Sequence, residues 1–111
     1  MKEQLFAKGM ENFNQHNMLV AIQYFDQLLQ IDSRNSFAYL YRARSKKFLA
    51  QYEAAIHDFD LAISSMRLPT DTSMKVVFAS VYLARGESKE QLGQYQEAIK
   101  DFDLSISYCD N

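Results

Sequence analysis

The side chains able to do chemistry are few, and their spacing gives them little to do. His16 and His57 stand far apart with no HxxxH or HxxE spacing, so a metal pair is unsupported. His16 reads as a turn residue and His57 as a solvated helix position. Cys109 is the sole cysteine, near the chain end, with no paired base to make it a nucleophile. Asp58 and Asp60, like Asp101 and Asp103, flank a phenylalanine at i, i+2. On a helix that spacing turns two side chains about 200° apart, so neither pair can hold a metal. Only three glycines occur, and none forms a phosphate-cradling loop. Arg42, Arg44, Lys46 and Lys47 make a short basic run, half a helix face open to solvation. These residues predict no enzyme, no cofactor and no metal.

The elements that carry these residues are repeated. Positions 51–66 read QYEAAIHDFDLAISSM and positions 94–109 read QYQEAIKDFDLSISYC, identical at ten of 16 positions. At the same offset of 43, Tyr39-Leu40 matches Tyr82-Leu83, Arg42 matches Arg85, Ser45-Lys46 matches Ser88-Lys89 and Leu49 matches Leu92. A diverged third copy lies in front at an offset of 34, where Ala21-Ile22 aligns with Ala55-Ile56 and Phe25-Asp26 with Phe59-Asp60. Ala55, Ile56, Phe59, Ala62 and Ile63 fall at i, i+1, i+4, i+7 and i+8, one helical stripe. Helices are expected at 3–15, 18–30, 36–49, 52–65, 72–92 and 95–108. Gly93 is placed as a left-handed helix-ending glycine, and 32–35 as a polar turn with N-cap candidates. One helix pair cannot cover its own stripe, so the pairs must stack.

These residues resemble the tetratricopeptide repeat (TPR) family, a 34-residue helix-turn-helix with large, small, Ala and Phe places at set distances. Leu5, Gly9, Ala21 and Phe25 take those places in the first copy, with Ser33 where proline is usual. Tyr39, Ala43, Ala55 and Phe59 take them in the second, and Tyr82, Gly86, Ala98 and Phe102 in the third. The resemblance implies an all-α fold, a right-handed α-α superhelix of three stacked repeats in a single domain over 1–111. The repeats are expected at 2–35, 36–69 and 79–111. The longer second offset places an insertion or extended helix at 70–78, with Pro69 ending the preceding helix and N-caps among Thr70 to Ser73.

Composition bounds the partners. The chain has 111 residues, 48% hydrophobic and 14% aromatic, with a net charge of −2. That suits one packed domain and gives no basic field for nucleic acid. No apolar run approaches a membrane span of roughly 18 residues. No signal-peptide core opens the chain, so a cytoplasmic protein is expected.

The resemblance implies a scaffold or adaptor that binds a peptide or helix of another protein in a concave groove lined by the first helices. That lining is expected to include Phe6, Met10, Phe13, Phe37, Leu40, Tyr41, Arg44, Lys47, Leu83, Glu87 and Glu90. Arg42 and Arg85 recur at one place, so they read as structural partners of Asp58 and Asp101. Arg44 and Lys47 do not recur as basic residues and are the better contact candidates. One subset of the family clamps the carboxylate tails of heat-shock chaperones. Its clamp places here hold Phe6, Met10, Tyr41, Ser80 and Ala84, none a charged or amide donor, which argues against that ligand. The alternative reading is a homodimer through the third repeat, which lacks the usual extra solvating helix, or through Met74, Val77, Phe78 and Val81 of the lengthened helix.

Overall fold

The computed structural model describes residues 1–67, 69 and 71–109. Leu68, Thr70, Asp110 and Asn111, which fall in the expected insertion and repeat ends, lie outside the described residues. Among the described residues six helices follow one another: α1 (Lys2–Asn14), α2 (Met18–Ile31), α3 (Ser36–Phe48), α4 (Tyr52–Ser65), α5 (Thr72–Gln91) and α6 (Tyr95–Cys109). The fold is all-α, as expected, and every helix end lies within one residue of the position that periodicity predicts.

The ends are fixed by local chemistry. The tight turns inside the three helix pairs are built alike. His16, Ala50 and Gly93 sit in the left-handed region at φ 62°, 61° and 79°. The next residue's N–H then reaches back five positions, Asn17 to Asn12 at 2.8 Å, Gln51 to Lys46 and Gln94 to Lys89 both at 2.9 Å. Each turn thus satisfies carbonyls that the helix end would leave unpaired. Glycine meets no strain there, whereas His16 and Ala50 hold the same conformation at a cost of about 1–2 kcal/mol. Asn35 caps α3, its side chain accepting from the Ala38 N–H, and Asp71 caps α5 by accepting from the Met74 N–H.

Packing follows the apolar stripes. Each helix packs most extensively on its own pair-mate, α1 on α2, α3 on α4 and α5 on α6, and then α2 on α3 and α4 on α5. Two clusters form the core. One joins Ala21, Phe25, Leu28, Leu29 and Ala38, and the other joins Leu40, Ala43, Ala55, Phe59, Ala62 and Val81. The small places are needed for close approach. A Cβ on Gly9 would come within 2.5 Å of Phe25 Cε1, and one on Gly86 within 2.8 Å of Phe102 Cε1. The first helices α1, α3 and α5 touch in sequence along one side, and that side carries the candidate site.

Candidate functional site

Arg42 and Arg44, two positions apart on α3, face opposite surroundings. Arg42 Nε and Nη2 donate to Asp58 Oδ2 and Oδ1, both at 2.8 Å, and Nη1 reaches Asp26 Oδ1 at 2.8 Å. Lys46 Nζ adds a contact to Asp58 at 2.9 Å. Arg85 repeats the pattern. It donates to Asp101 at 2.9 and 2.7 Å and to Asp60 at 2.7 Å, with Lys89 on Asp101 at 3.2 Å. Burial works against the charge on each arginine, and the hydrogen bonds to its two aspartates outweigh it, so both pKa values lie above the usual arginine value. The pairs expected with Asp58 and Asp101 are present. Asp26 and Asp60 add a leg from the preceding repeat, so each arginine clips two repeats together. In the first repeat Lys8 stands at the arginine's place and Tyr24 at the aspartate's, and Lys8 Nζ lies 5.9 Å from the Tyr24 ring centroid.

Arg44 is exposed on the other face of α3. Its guanidinium lies 5.6 Å from the Phe13 ring centroid and 5.7 Å from that of Tyr41. Those two rings meet edge to face at 5.3 Å. No carboxylate among the described residues pairs with Arg44. Lys47 Nζ bridges to Glu87 Oε1 at 3.1 Å, tying α3 to α5 across the inner side. Between these helices lies a groove of about 280 Å³. Phe13, Met18, Phe48, Leu83 and Ala84 give it an apolar lining, with Arg44, Lys47, Ser80 and Glu87 as its polar members. His16 stacks on Phe48 at 5.6 Å and so steadies one end.

The structure brings together Phe13, Arg44, Lys47, Leu83 and Glu87 of the expected groove residues. Phe6, Met10 and Tyr41 instead pack half-buried against the Phe25 cluster beneath, with Phe6 and Tyr41 rings 6.2 Å apart. Phe37 is exposed on α3, away from the groove lining. Leu40, expected on the lining, is interior, because α3 turns that side toward α4 and α5. Met18 and Phe48 were not foreseen. Phe48 could have been, since it stands four residues beyond Arg44 on the same helix face. Met18 opens a second helix and carried no such signal.

The proposed self-association residues also sit differently from expectation. Phe78 and Val81 are buried, and Met74 and Val77 half-buried. Val77 and Val81 fill the cluster against α4. Phe78 meets Tyr108 of α6 at 5.4 Å, and Tyr82 stacks on Tyr108 at 5.8 Å. The start of α5 is therefore largely covered by the molecule's own α4 and α6. Only Val76 stands well out, 62% exposed. Among the described residues no helix is long and apolar enough to cross a membrane.

This architecture has close counterparts. Residues 79–111 match the model of the tetratricopeptide repeat. The TPR domain of Arabidopsis OM64 superposes with a TM-score of 0.82 at 22% identity, covering 96% of this chain and 81% of that one. The Yersinia enterocolitica type III secretion translocator chaperone SycD, solved as an alternative dimer, gives 0.83 at 20%, covering 99% and 76%. The second TPR of Spaghetti (RPAP3), solved with the HSP90 peptide SRMEEVD, gives 0.82 at 22%, covering 96% and 91%. No curated protein sequence matches the chain. The third repeat thus matches the tetratricopeptide-repeat model, and the paired helices of the described residues share the fold of solved tetratricopeptide-repeat domains.

Proposed function

We propose that the chain is a protein-interaction module, one three-repeat unit whose groove between α1, α3 and α5 holds a segment of a partner protein. Phe13, Met18, Phe48 and Leu83 take apolar side chains of that segment, and Arg44 takes an acidic group. The observation that carries this reading is the setting of Arg44. It is an exposed cation, oriented by two aromatic faces at the edge of an apolar groove, with no carboxylate partner among the described residues. Every other arginine or lysine on α3 is already committed to an aspartate or glutamate. A preoriented guanidinium loses little freedom on meeting a carboxylate, which favours binding. The peptide complexes of structurally similar domains support the class of ligand without naming it.

Free carboxylate tails fit less well. Phe6, Met10 and Tyr41 pack into the core, and Ser80 and Ala84 line the groove with one hydroxyl between them. An internal acidic side chain flanked by apolar residues suits the site better than a chain terminus. The test is affinity capture of partners from native lysate with the wild-type chain and with Arg44→Glu, Lys47→Glu as control. A partner lost from the variant supports the groove. Equal recovery by both removes the groove assignment. Tight, carboxylate-dependent binding of the peptide SRMEEVD would overturn the preference for an internal acid.

A further inference from the structure

The three first helices carry different chemistry at one register. Offsets of 34 and 43 align Met10 of α1 with Arg44 of α3 and Glu87 of α5. One turn later they align Phe13 with Lys47 and Glu90. Across the stack, both rows run from apolar through basic to acidic. The four charges form the corners of a patch, two on α3 and two on α5. One diagonal closes on itself, Lys47 Nζ meeting Glu87 Oε1 at 3.1 Å. The other diagonal stays open. Arg44 and Glu90 are both exposed, and neither has an ion-pair partner among the described residues. The lysines beside them in sequence are turned elsewhere, Lys46 to Asp58 at 2.9 Å and Lys89 to Asp101 at 3.2 Å.

Glu90 belongs to the groove side of α5. It stands three residues after Glu87 and seven after Leu83, which both line the groove, so it continues their helix face. The Lys47–Glu87 bridge occupies the residue that could otherwise neutralise each free corner, Glu87 for Arg44 and Lys47 for Glu90. The groove already calls for apolar side chains and an acid, and Glu90 adds a base. We propose that the segment held in the groove is zwitterionic, with an acidic side chain for Arg44, a lysine or arginine for Glu90, and apolar side chains beside them. This rests on the groove being the binding site, and it names the charge pattern of the ligand. Packed helix axes about 8–10 Å apart, with a three-residue step of about 4.5 Å along them, separate the two corners by about 10 Å. That distance is i to i+7 on a helix, or i to i+3 or i+4 on an extended chain. A segment acidic throughout would meet Glu90, and one basic throughout would meet Arg44, so the open diagonal selects against both.

Two degenerate peptide libraries, acetylated and amidated so that no terminal charge takes part, are suitable probes. Both fix one glutamate among positions drawn from leucine, phenylalanine, methionine, alanine, glutamine and serine. The second also fixes a lysine three, four or seven places to either side. Retention on the immobilised full chain is read by mass spectrometry. The lysine-bearing library should be retained about threefold to fivefold better, as an exposed ion pair allows. Glu90→Gln should remove that advantage, and Arg44→Gln should weaken retention of both libraries. In the best-retained peptide, exchanging glutamate and lysine should weaken binding roughly tenfold, and Arg44→Glu with Glu90→Arg in the chain should restore it. Retention that depends on Arg44 but ignores the lysine would overturn this proposal and leave the groove standing as the binding site. So would a lysine preference that survives Glu90→Gln, or an exchange without loss. Retention indifferent to Arg44→Gln, or no retention at all, would remove the groove and the zwitterionic ligand together.

Discussion

Arg42 and Arg44 share one helix and one charge, yet one builds the molecule and the other is free to meet something else. Arg42 is half-buried, holds three carboxylate oxygens and recurs as Arg85. Arg44 is exposed, rests on Phe13 and Tyr41, and has no counterpart in the other repeats. Residues common to the copies repeat because every junction must be made the same way. Residues that differ are released from that demand. In this chain the released ones converge on the inner side, where α1, α3 and α5 meet.

The comparison breaks most visibly at the buried carboxylates. Asp58→Ala would strand Arg42 and Lys46 beside an empty site, and should lower stability by about 3–5 kcal/mol, measured by urea unfolding. Asp26→Ala removes only the exposed leg of the same node and should lose at most about 1 kcal/mol. Equal losses would mean that the bridge between repeats weighs as much as the pair within one. Next in size is Gly9→Ala. Its Cβ would press on the Phe25 ring, which has no exposed surface and is held by Phe6 and Tyr41. Overpacking outweighs the better helix propensity of alanine, for a net loss of about 1–2 kcal/mol. A gain in melting temperature would show that the ring has room to move.

On the groove side the expected effects on stability are small. Arg44→Glu with Lys47→Glu gives up one partly exposed ion pair and two cation–π contacts, and should change unfolding free energy by about 1 kcal/mol or less. Helicity by circular dichroism should be unchanged. A collapse of helicity would place Arg44 among the structural residues after all.

How much was legible follows the same division. Helix ends could be read because Gly93, Asn35 and the stripe periodicity act locally. The Arg42–Asp58 and Arg85–Asp101 pairs could be read because they recur. The legs to Asp26 and Asp60 could not, although the divergence of Asp58 from Asp60 on one helix hinted at it: the two turn to different arginines. The groove was half legible. Phe6, Met10, Tyr41 and Leu40 all lie on first helices, but how far the stack turns decides which of their faces closes against a neighbour. That angle is a property of whole helix pairs and leaves no mark at single positions. Phe78 and Val81 were misjudged because Tyr108, a full helix later, folds back beside Phe78, and the α4 cluster closes over Val81.

The smallest effect concerns alkaline pH. Burial, with Tyr108 nearby, raises the Tyr82 pKa above its ordinary 10.0, against a lowering by Arg85. The folded chain then keeps a proton that the unfolded chain loses, so stability falls as pH rises past about 10. Tyr82→Phe should flatten that decline in a melting-temperature series. An unchanged slope would assign the decline to other groups.

The division between stacking and binding residues is tested most directly by urea unfolding of Arg42→Gln and Arg44→Gln, measured side by side. The account predicts a loss of about 3 kcal/mol for Arg42→Gln, which leaves Asp58 buried with only Lys46, and a change within about 1 kcal/mol for Arg44→Gln. Losses of similar size for the two, or a larger one for Arg44→Gln, would contradict it.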